Sequence, residues 1–245
     1  MRMVYFTERG SLESFFTAVF DGYKDETAYL TSSAFFQPSL GDTVLCVRTN
    51  EEKAERVARK IRSLDERALY EIERILRSNK EDREQIAFEY IRVLVQEKRP
   101  VRGMLLKAEI RRAIDELNKV TKEVHHMKGF LRFQETQEGV FYAPFSPDHD
   151  IVDLLVPHFS ARFSGTPFIL HDVKRKKAAV SDGKNYGVFA AEHADVLISE
   201  QEDALLRLWK SYYKNVSIAA RKNTRQMKNY MPVRYWRFMP EKEDE

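Results

Sequence analysis

Histidine and aspartate residues are the groups in this sequence best suited to acid–base or metal-assisted chemistry. Imidazole titrates near neutral pH, and a carboxylate beside it can take part in proton transfer or metal binding. Asp148, His149 and Asp150 are consecutive, and other histidines precede and follow them. The candidate catalytic residues are His126, Asp148, His149, His158 and His171. N-capping of a helix by Asp148 explains the same cluster without any chemistry.

Basic and aromatic residues near the carboxyl end are suited to contact with nucleic acid. Residues 221–237 contain six cations and no acid, interleaved with Tyr230, Tyr235 and Trp236. Cations neutralise phosphates, and aromatic rings stack on bases. The candidate nucleic-acid-binding residues are Lys128, Arg132, Arg175, Arg221, Lys222, Arg225, Arg234 and Trp236. The same composition also fits a terminal helix whose aromatic residues dock on the core while its cations are solvated.

Motifs for the common catalytic sites are missing from the sequence. It contains no GxGxxG, Walker-type phosphate loop, HExxH or GxSxG string. Its single cysteine, Cys46, cannot form an intramolecular disulfide, a CxxC zinc site or a complete iron–sulfur site. We therefore expect no cofactor and assign no metal ligands, and any radical chemistry would have to take place in another protein.

The overall composition is that of a globular protein. Of 245 residues, 43% are apolar and 32% are charged, with a net charge of +3, which excludes disordered and fibrous classes. Charged residues interrupt residues 1–30, and no apolar run approaches the roughly 18 residues of a membrane span. The single cysteine fits a reducing compartment. We expect a cytoplasmic protein without a membrane partner.

The first half of the chain has mainly helical patterning. A short strand at residues 3–6 precedes a helix with Leu12, Phe15, Phe16 and Val19 on one face, and residues 43–47 form a β-branched run. Four helices follow, three of which begin with capping-box signatures at residues 49–52, 63–66 and 78–81. The last extends over about 105–127, and Gly129 stands where a helix commonly ends in a left-handed residue.

The second half alternates strands with one helix. Strands are predicted at residues 130–133, 140–142, 168–171, 177–180 and 186–189, with a helix ending near residue 163. A further capping box at residues 199–202 opens a carboxyl-terminal helix. The predicted fold is α+β: a helical layer packed with a small antiparallel sheet, a ββαββ-like unit, and a C-terminal helical segment. We expect a single domain over residues 1–245, with sub-domains 1–127 and 128–240.

Several short strings, taken together, resemble one bacterial family of domains of unknown function that is assigned to DNA repair or DNA metabolism. The strings lie within residues 4–6, 16–21, 126–133, 142–144, 147–149, 158–163, 169–175 and 221–236. The resemblance implies a neighbouring gene for a radical S-adenosylmethionine (SAM) protein. It also implies frequent fusion to a uracil-DNA-glycosylase-like domain. This sequence shows no glycosylase-type motif, so the resemblance implies no such activity here.

Three functions remain open from the sequence. The first, which we favour, is a DNA-binding or partner-loading module that acts with the radical SAM protein. The second is a nucleic-acid-processing enzyme with a His/Asp centre, and the third is a protein adaptor without nucleic-acid contact. A catalytic centre requires its groups to converge in a concave pocket, whereas a binding module requires only a contiguous basic face.

Overall fold

A computed structural model describes residues 1–192, 198–216 and 223–242. The chain divides into two compact units, Met1–Thr121 and Lys122–Glu245. The fold is α+β, as predicted, because both units combine helices with a sheet. Within the described residues, no helix is both long enough and apolar enough to cross a bilayer.

The first unit contains a three-stranded parallel sheet with order β2-β1-β3, so that β1 is central. Side chains of the helices pack with strand residues in a core that includes Phe15, Leu30, Ile72, Phe88 and Ile110. The elements are β1 (Met3–Phe6), α1 (Leu12–Gly22), β2 (Ala28–Thr31), β3 (Thr43–Cys46), α2 (Glu51–Leu64), α3 (Ala68–Leu76), α4 (Arg83–Glu97) and the first part of α5 (Ala108–Phe130).

The second unit contains a five-stranded sheet with order β4-β5-β6-β7-β8. Its core includes an aromatic cluster in which the Phe133 ring lies 4.8 Å from that of Phe159 and 4.7 Å from that of Phe163. The elements after α5 are β4 (Gln134–Glu135), β5 (Phe141–Phe145), α6 (Val152–Phe163), β6 (Phe168–Asp172), β7 (Lys177–Ser181), β8 (Tyr186–Ala190), α7 (Glu200–Val216), α8 (Thr224–Tyr230) and 3-10 helices at Val233–Phe238 and Pro240–Lys242.

The small sheet predicted as antiparallel is mixed. Strands β5 and β6 pair in parallel, whereas the other neighbours pair antiparallel. The connection between β5 and β6 runs through α6, and such a helical crossover returns the chain in the same direction. The sheet is therefore mixed.

Several predicted helix boundaries are also wrong. Helix α5 continues through Gly129 to Phe130, so the strand predicted at residues 130–133 is absent, and β4 begins only at Gln134. The capping box at 78–81 does not cap a helix, because Asp82 precedes α4 and the Ser78 hydroxyl donates to Glu116 at 2.8 Å. Asn50, rather than Thr49, caps α2. The box at 63–66 lies across the end of α2 and caps no helix, because Arg67 precedes α3.

Candidate nucleic-acid interface

The carboxyl-terminal segment, residues 223–242, is held by buried aromatic side chains. Tyr235 and Trp236 are 4% and 8% exposed. The Tyr235 hydroxyl donates to Glu123 Oε1 at 2.5 Å, and the Trp236 indole donates to the Met231 carbonyl at 2.9 Å. Burial, followed by the Glu123 hydrogen bond, raises the pKa of Tyr235 above its ordinary value. These contacts fix the position of the segment within the second unit.

Exposed side chains on the same segment form what we call the basic face: Arg225, Lys228, Tyr230, Arg234 and Arg237. Arg225 and Lys228 are three residues apart on α8 and share one side of the helix. Arg234 and Arg237 are three residues apart in a 3-10 helix, where such side chains eclipse each other. Tyr230 is 70% exposed, so its aromatic ring is accessible to solvent. Arg221 and Lys222 lie outside the described residues.

Arg234 has a second role, because it connects the basic face to the loop before α6. Its guanidinium donates to the Tyr235 hydroxyl at 2.9 Å and pairs with Asp148 at 2.8 Å. Its side chain is nevertheless 52% exposed. Arg234 can therefore present charge to solvent while it helps to hold the segment in place.

Glu123, on α5, organises the loop that contains Asp148 and His149. Its two carboxylate oxygens accept the backbone N–H groups of Asp148 and His149, each at 2.8 Å, in addition to the Tyr235 hydroxyl. The side chain lies on the buried stripe formed by Val120, Val124 and Met127. One buried carboxylate thus joins three parts of the second unit.

Arg175 also contacts the loop that contains Asp148. It donates to the carbonyls of Pro147 and Asp148 and to the Asp172 carboxylate, the first at 3.0 Å and the last at 2.9 Å. Asp172 is fully buried, and its burial raises the pKa of the carboxyl group in spite of the Arg175 hydrogen bonds. With its side chain 19% exposed, Arg175 makes structural contacts in this arrangement.

Lys128 and Arg132 lie near the end of α5 and differ in their contacts. Arg132 donates to the Glu241 carboxylate through Nε at 2.9 Å and Nη2 at 2.5 Å, which ties the carboxyl-terminal segment to the residues after α5. Burial on its own would raise the pKa of Glu241, but the Arg132 hydrogen bonds lower it. Lys128 is half-buried.

The candidate catalytic histidines have different surroundings. His149 and His171 are 7% and 4% exposed. The His171 Nε2 lies 3.1 Å from the Ala191 carbonyl, which only accepts, so Nε2 donates, and the Tyr142 hydroxyl donates to Nδ1 at 2.8 Å. Both ring nitrogens of His171 are thus occupied by structural partners.

His126 and His158 are partly buried, and their pKa values are lowered. Burial is the main cause for each; Lys122 contributes at His126, and Lys128 and Arg162 contribute at His158. Both environments therefore favour the neutral imidazole over the charged form. Among the residues that the structure describes, no group of three or more His, Cys, Asp and Glu side chains could hold a metal ion.

A small apolar pocket lies beside the buried part of the segment. Its interior space is about 10 Å³, close to the volume that one water molecule needs. Its lining consists of Met127, Phe130, Leu131, Pro144, Phe145, Ser146, Tyr235, Phe238 and Met239. None of the five candidate catalytic residues lines it, so this pocket does not bring them together.

The sequence did not identify Glu123 and Glu241 as important, and Tyr230 was counted among the aromatic residues but not among the candidate binding residues. A signal for Glu123 was available, because a carboxylate on the apolar stripe of a long helix needs buried donors. Glu241 stands in an acidic tail without such a pattern. Whether Tyr230 or Trp236 is accessible for stacking depends on which ring is buried, and packing determines that.

Fold and surface together define an α+β protein with a cation-rich face on its carboxyl-terminal segment. Residues 81–241 match the family model of the domain of unknown function DUF4130. The chain belongs to this family, whose match includes the whole described basic face. No curated protein and no solved structure matches the chain.

Proposed function

We propose that this protein binds DNA through the basic face, in the service of DNA metabolism or repair. The observation that carries the proposal is the division of the segment into buried aromatic residues and exposed cations. Tyr235 and Trp236 point inward, whereas Arg225, Lys228 and Arg237 point outward. The cations are thus presented from an anchored surface.

The charge distribution supports a polyanionic ligand. Residues 223–240 contain no acidic side chain, so the cations have no acidic neighbour in sequence. Two cations lie on α8 and two on the 3-10 helix, a spacing that suits the repeated phosphates of a nucleic-acid backbone. Phosphate contacts supply affinity with little sequence preference. Tyr230 adds one exposed ring for stacking on an unpaired base. Trp236 has no comparable access, because it is buried.

The proposal includes a protein partner, the radical SAM protein that the family resemblance implies. A single cysteine cannot ligate an iron–sulfur cluster alone, so radical chemistry on DNA would be carried out by the partner. In this division of labour the present chain holds the DNA. It leaves the chemical step to the partner.

The test is charge reversal with a matched control. The variant Arg225→Glu/Lys228→Glu/Arg237→Glu should bind duplex DNA about tenfold or more weakly. Its salt dependence should also be shallower, by about 0.9 in the log–log slope for each phosphate that the variant no longer neutralises. Arg234 is left unchanged because it pairs with Asp148. The control Lys60→Glu/Arg62→Glu/Lys184→Glu changes the net charge equally at exposed positions elsewhere.

Fluorescence anisotropy on short duplex and single-stranded oligonucleotides measures both quantities. The control should bind as the parent chain does. If both triple variants lose the same affinity for DNA, the loss comes from net charge alone, and the proposal is contradicted. Unchanged binding by the folded basic-face variant would contradict it directly.

A further inference from the structure

The carboxyl half of α5 carries a second group of basic side chains, which we call the α5 row: Lys122, His125 and His126. They are spaced by three and four positions, so they share one side of the helix. Lys122 and His125 are exposed, and His126 is half-buried. The other side of α5 carries the buried residues Val124 and Met127. The α5 row therefore faces away from the core.

Ring contacts connect the α5 row to the basic face. The His126 ring centroid lies 6.3 Å from that of His125 and 5.3 Å from that of Phe130. The Phe130 ring lies 6.0 Å from that of Tyr235, and the Arg234 guanidinium lies 4.6 Å from the Tyr235 ring centroid. Arg234 belongs to the basic face, so the two groups of cations are neighbours within the second unit.

The surroundings of His126 are mainly positive. Burial is the first cause of its lowered pKa, and three positive neighbours lower it further: Lys122, His125 and Arg234. Glu123 acts in the opposite direction, but it is the only acid in residues 117–134 and its carboxylate is buried. Asp148 pairs with Arg234, and Tyr235 stays neutral because burial raises its pKa. Such a surface attracts a polyanion.

We propose that the α5 row is part of the DNA-binding surface and that its two histidines take up protons when DNA binds. This inference rests on the proposed function, because the basic face supplies the other phosphate contacts. Lys122 contributes a permanent charge, whereas His125 and His126 become cations when a phosphate lies beside them. The anion stabilises the imidazolium form, so protonation and DNA binding strengthen each other. The ligand is a nucleic-acid backbone long enough to reach from α8 to α5.

DNA should consequently bind more tightly in mild acid than in mild base. In the free chain, burial and the neighbouring cations favour the neutral imidazole of His126. A bound phosphate favours the charged form, so the pKa of this imidazole is higher in the complex than in the free chain. Affinity should therefore rise as the pH falls from about 8 to about 6, by about tenfold for each unit by which a histidine pKa rises on binding.

Fluorescence anisotropy with one duplex oligonucleotide, at constant ionic strength and at both pH values, tests the histidines. His125→Gln/His126→Gln should bind about tenfold more weakly than the parent near pH 6 and equally near pH 8. His125→Gln/His126→Phe keeps a ring against Phe130 and should behave in the same way, which separates titration from packing. His158→Gln is the matched control, since this half-buried histidine on α6 also has a lowered pKa. It should keep the pH dependence of the parent.

The salt dependence of binding tests Lys122. Lys122→Gln removes a permanent charge and should reduce the log–log slope by about 0.9 at either pH. Lys184→Gln, which is also exposed and lies in the same unit, should leave the slope unchanged. Equal slopes for the two variants would overturn the place of Lys122 in the interface.

The outcomes distinguish this inference from the proposed function. The basic-face variant should bind more weakly at both pH values and keep the pH dependence. If the parent binds DNA equally at both pH values, or if only His158→Gln removes the pH dependence, the inference about the α5 row is overturned while binding through the basic face stands. If the basic-face variant binds as the parent does, the proposed function is wrong, and this inference is overturned with it.

Discussion

Glu123 connects three parts of the second unit, because its buried carboxylate accepts hydrogen bonds from two backbone amides and one hydroxyl. Removing one donor leaves part of a buried charge without its partner, which is costly at low dielectric. Tyr235→Phe should therefore destabilise the second unit by about 2 kcal/mol. Tyr230→Phe, at an exposed ring, should stay within about 0.5 kcal/mol of the parent chain.

Denaturant unfolding followed by tryptophan fluorescence measures this difference. Both tryptophans, Trp209 and Trp236, belong to the second unit, so the signal reports on that unit. Equal midpoints for the two phenylalanine variants would show that the Tyr235 hydroxyl does not hold the segment.

The same residue gives a pH dependence with a defined sign. The pKa of Tyr235 is raised by burial and by Glu123, so the folded chain keeps the proton that the unfolded chain releases near pH 10. Tyr235 therefore contributes full stability below about pH 10, and this contribution is lost as the pH rises further. Tyr235→Phe should show a smaller alkaline loss of stability than the parent. Tyr230→Phe should follow the parent, and a Tyr235→Phe curve parallel to the parent curve would contradict the argument.

Which aromatic residue of the carboxyl-terminal segment is accessible could not be predicted from the sequence. Tyr230, Tyr235 and Trp236 occur within seven positions in a short run without clear periodicity. Trp236 is buried through contacts such as the hydrogen bond from its indole N–H to the Met231 carbonyl. Tyr235 is buried where its hydroxyl donates to Glu123, which is 112 residues away in sequence. Composition predicts the cations on this segment, but long-range packing sets which side is exposed.

At the scale of elements, α7 is joined to the sheet through its first turn. The Ser199 hydroxyl accepts the Glu202 N–H at 3.1 Å, which confirms half of the predicted capping box. In a complete capping box the Glu202 side chain would accept from the Ser199 N–H. Here the Glu202 side chain accepts from the Glu135 N–H at 3.2 Å instead, and the Ser199 N–H donates to the Glu135 carbonyl. The cap thus fixes α7 to β4.

Ser199→Ala should destabilise α7 by about 1 kcal/mol, because a helix donor loses its acceptor. Ser211→Ala, on the exposed surface of the same helix, should be close to neutral. Trp209 lies on α7, so tryptophan fluorescence during unfolding distinguishes the two variants. Equal effects of the two substitutions would mean that the hydroxyl of Ser199 contributes no capping.

Strong local patterns predicted most elements of the second unit, but not the strand order after α5, where the strand expected at residues 130–133 is absent. The turn at Asp182 and Gly183, and the alternating runs on each side, correspond to β7 and β8. Strand β2, which comprises Ala28–Thr31, was not predicted. Gly129 stays helical although its type favours a helix end, because Phe130 packs against His126 and Tyr235 at 5.3 and 6.0 Å between ring centroids. Tertiary contacts outweigh propensity at that position.

At the scale of the whole molecule, the basic face belongs to one unit and to the family match. It lies in Lys122–Glu245. The family match covers residues 81–241, so it includes the basic face, whereas β1, β2 and β3 lie outside it.

The last prediction concerns chemistry by the intact chain. Both ring nitrogens of His171 are engaged, Asp148 pairs with Arg234, and the loop that carries His149 is fixed by Glu123 and Arg175. These contacts fit structural roles, and the proposed function assigns the reaction to the partner. We therefore expect the purified chain to leave DNA chemically unchanged.

Incubation with uracil- or pyrimidine-dimer-containing oligonucleotides, with and without divalent metal ions, tests this prediction. Denaturing electrophoresis and mass spectrometry detect strand cleavage, base release and base modification. His149→Ala is the decisive variant, since His149 is the buried histidine next to Asp148. If the parent chain catalyses a reaction on DNA and the folded His149→Ala variant does not, the protein is a nucleic-acid-processing enzyme and the prediction is wrong. Basic-face variants separate the two functions further, because they should weaken binding whether or not any reaction occurs.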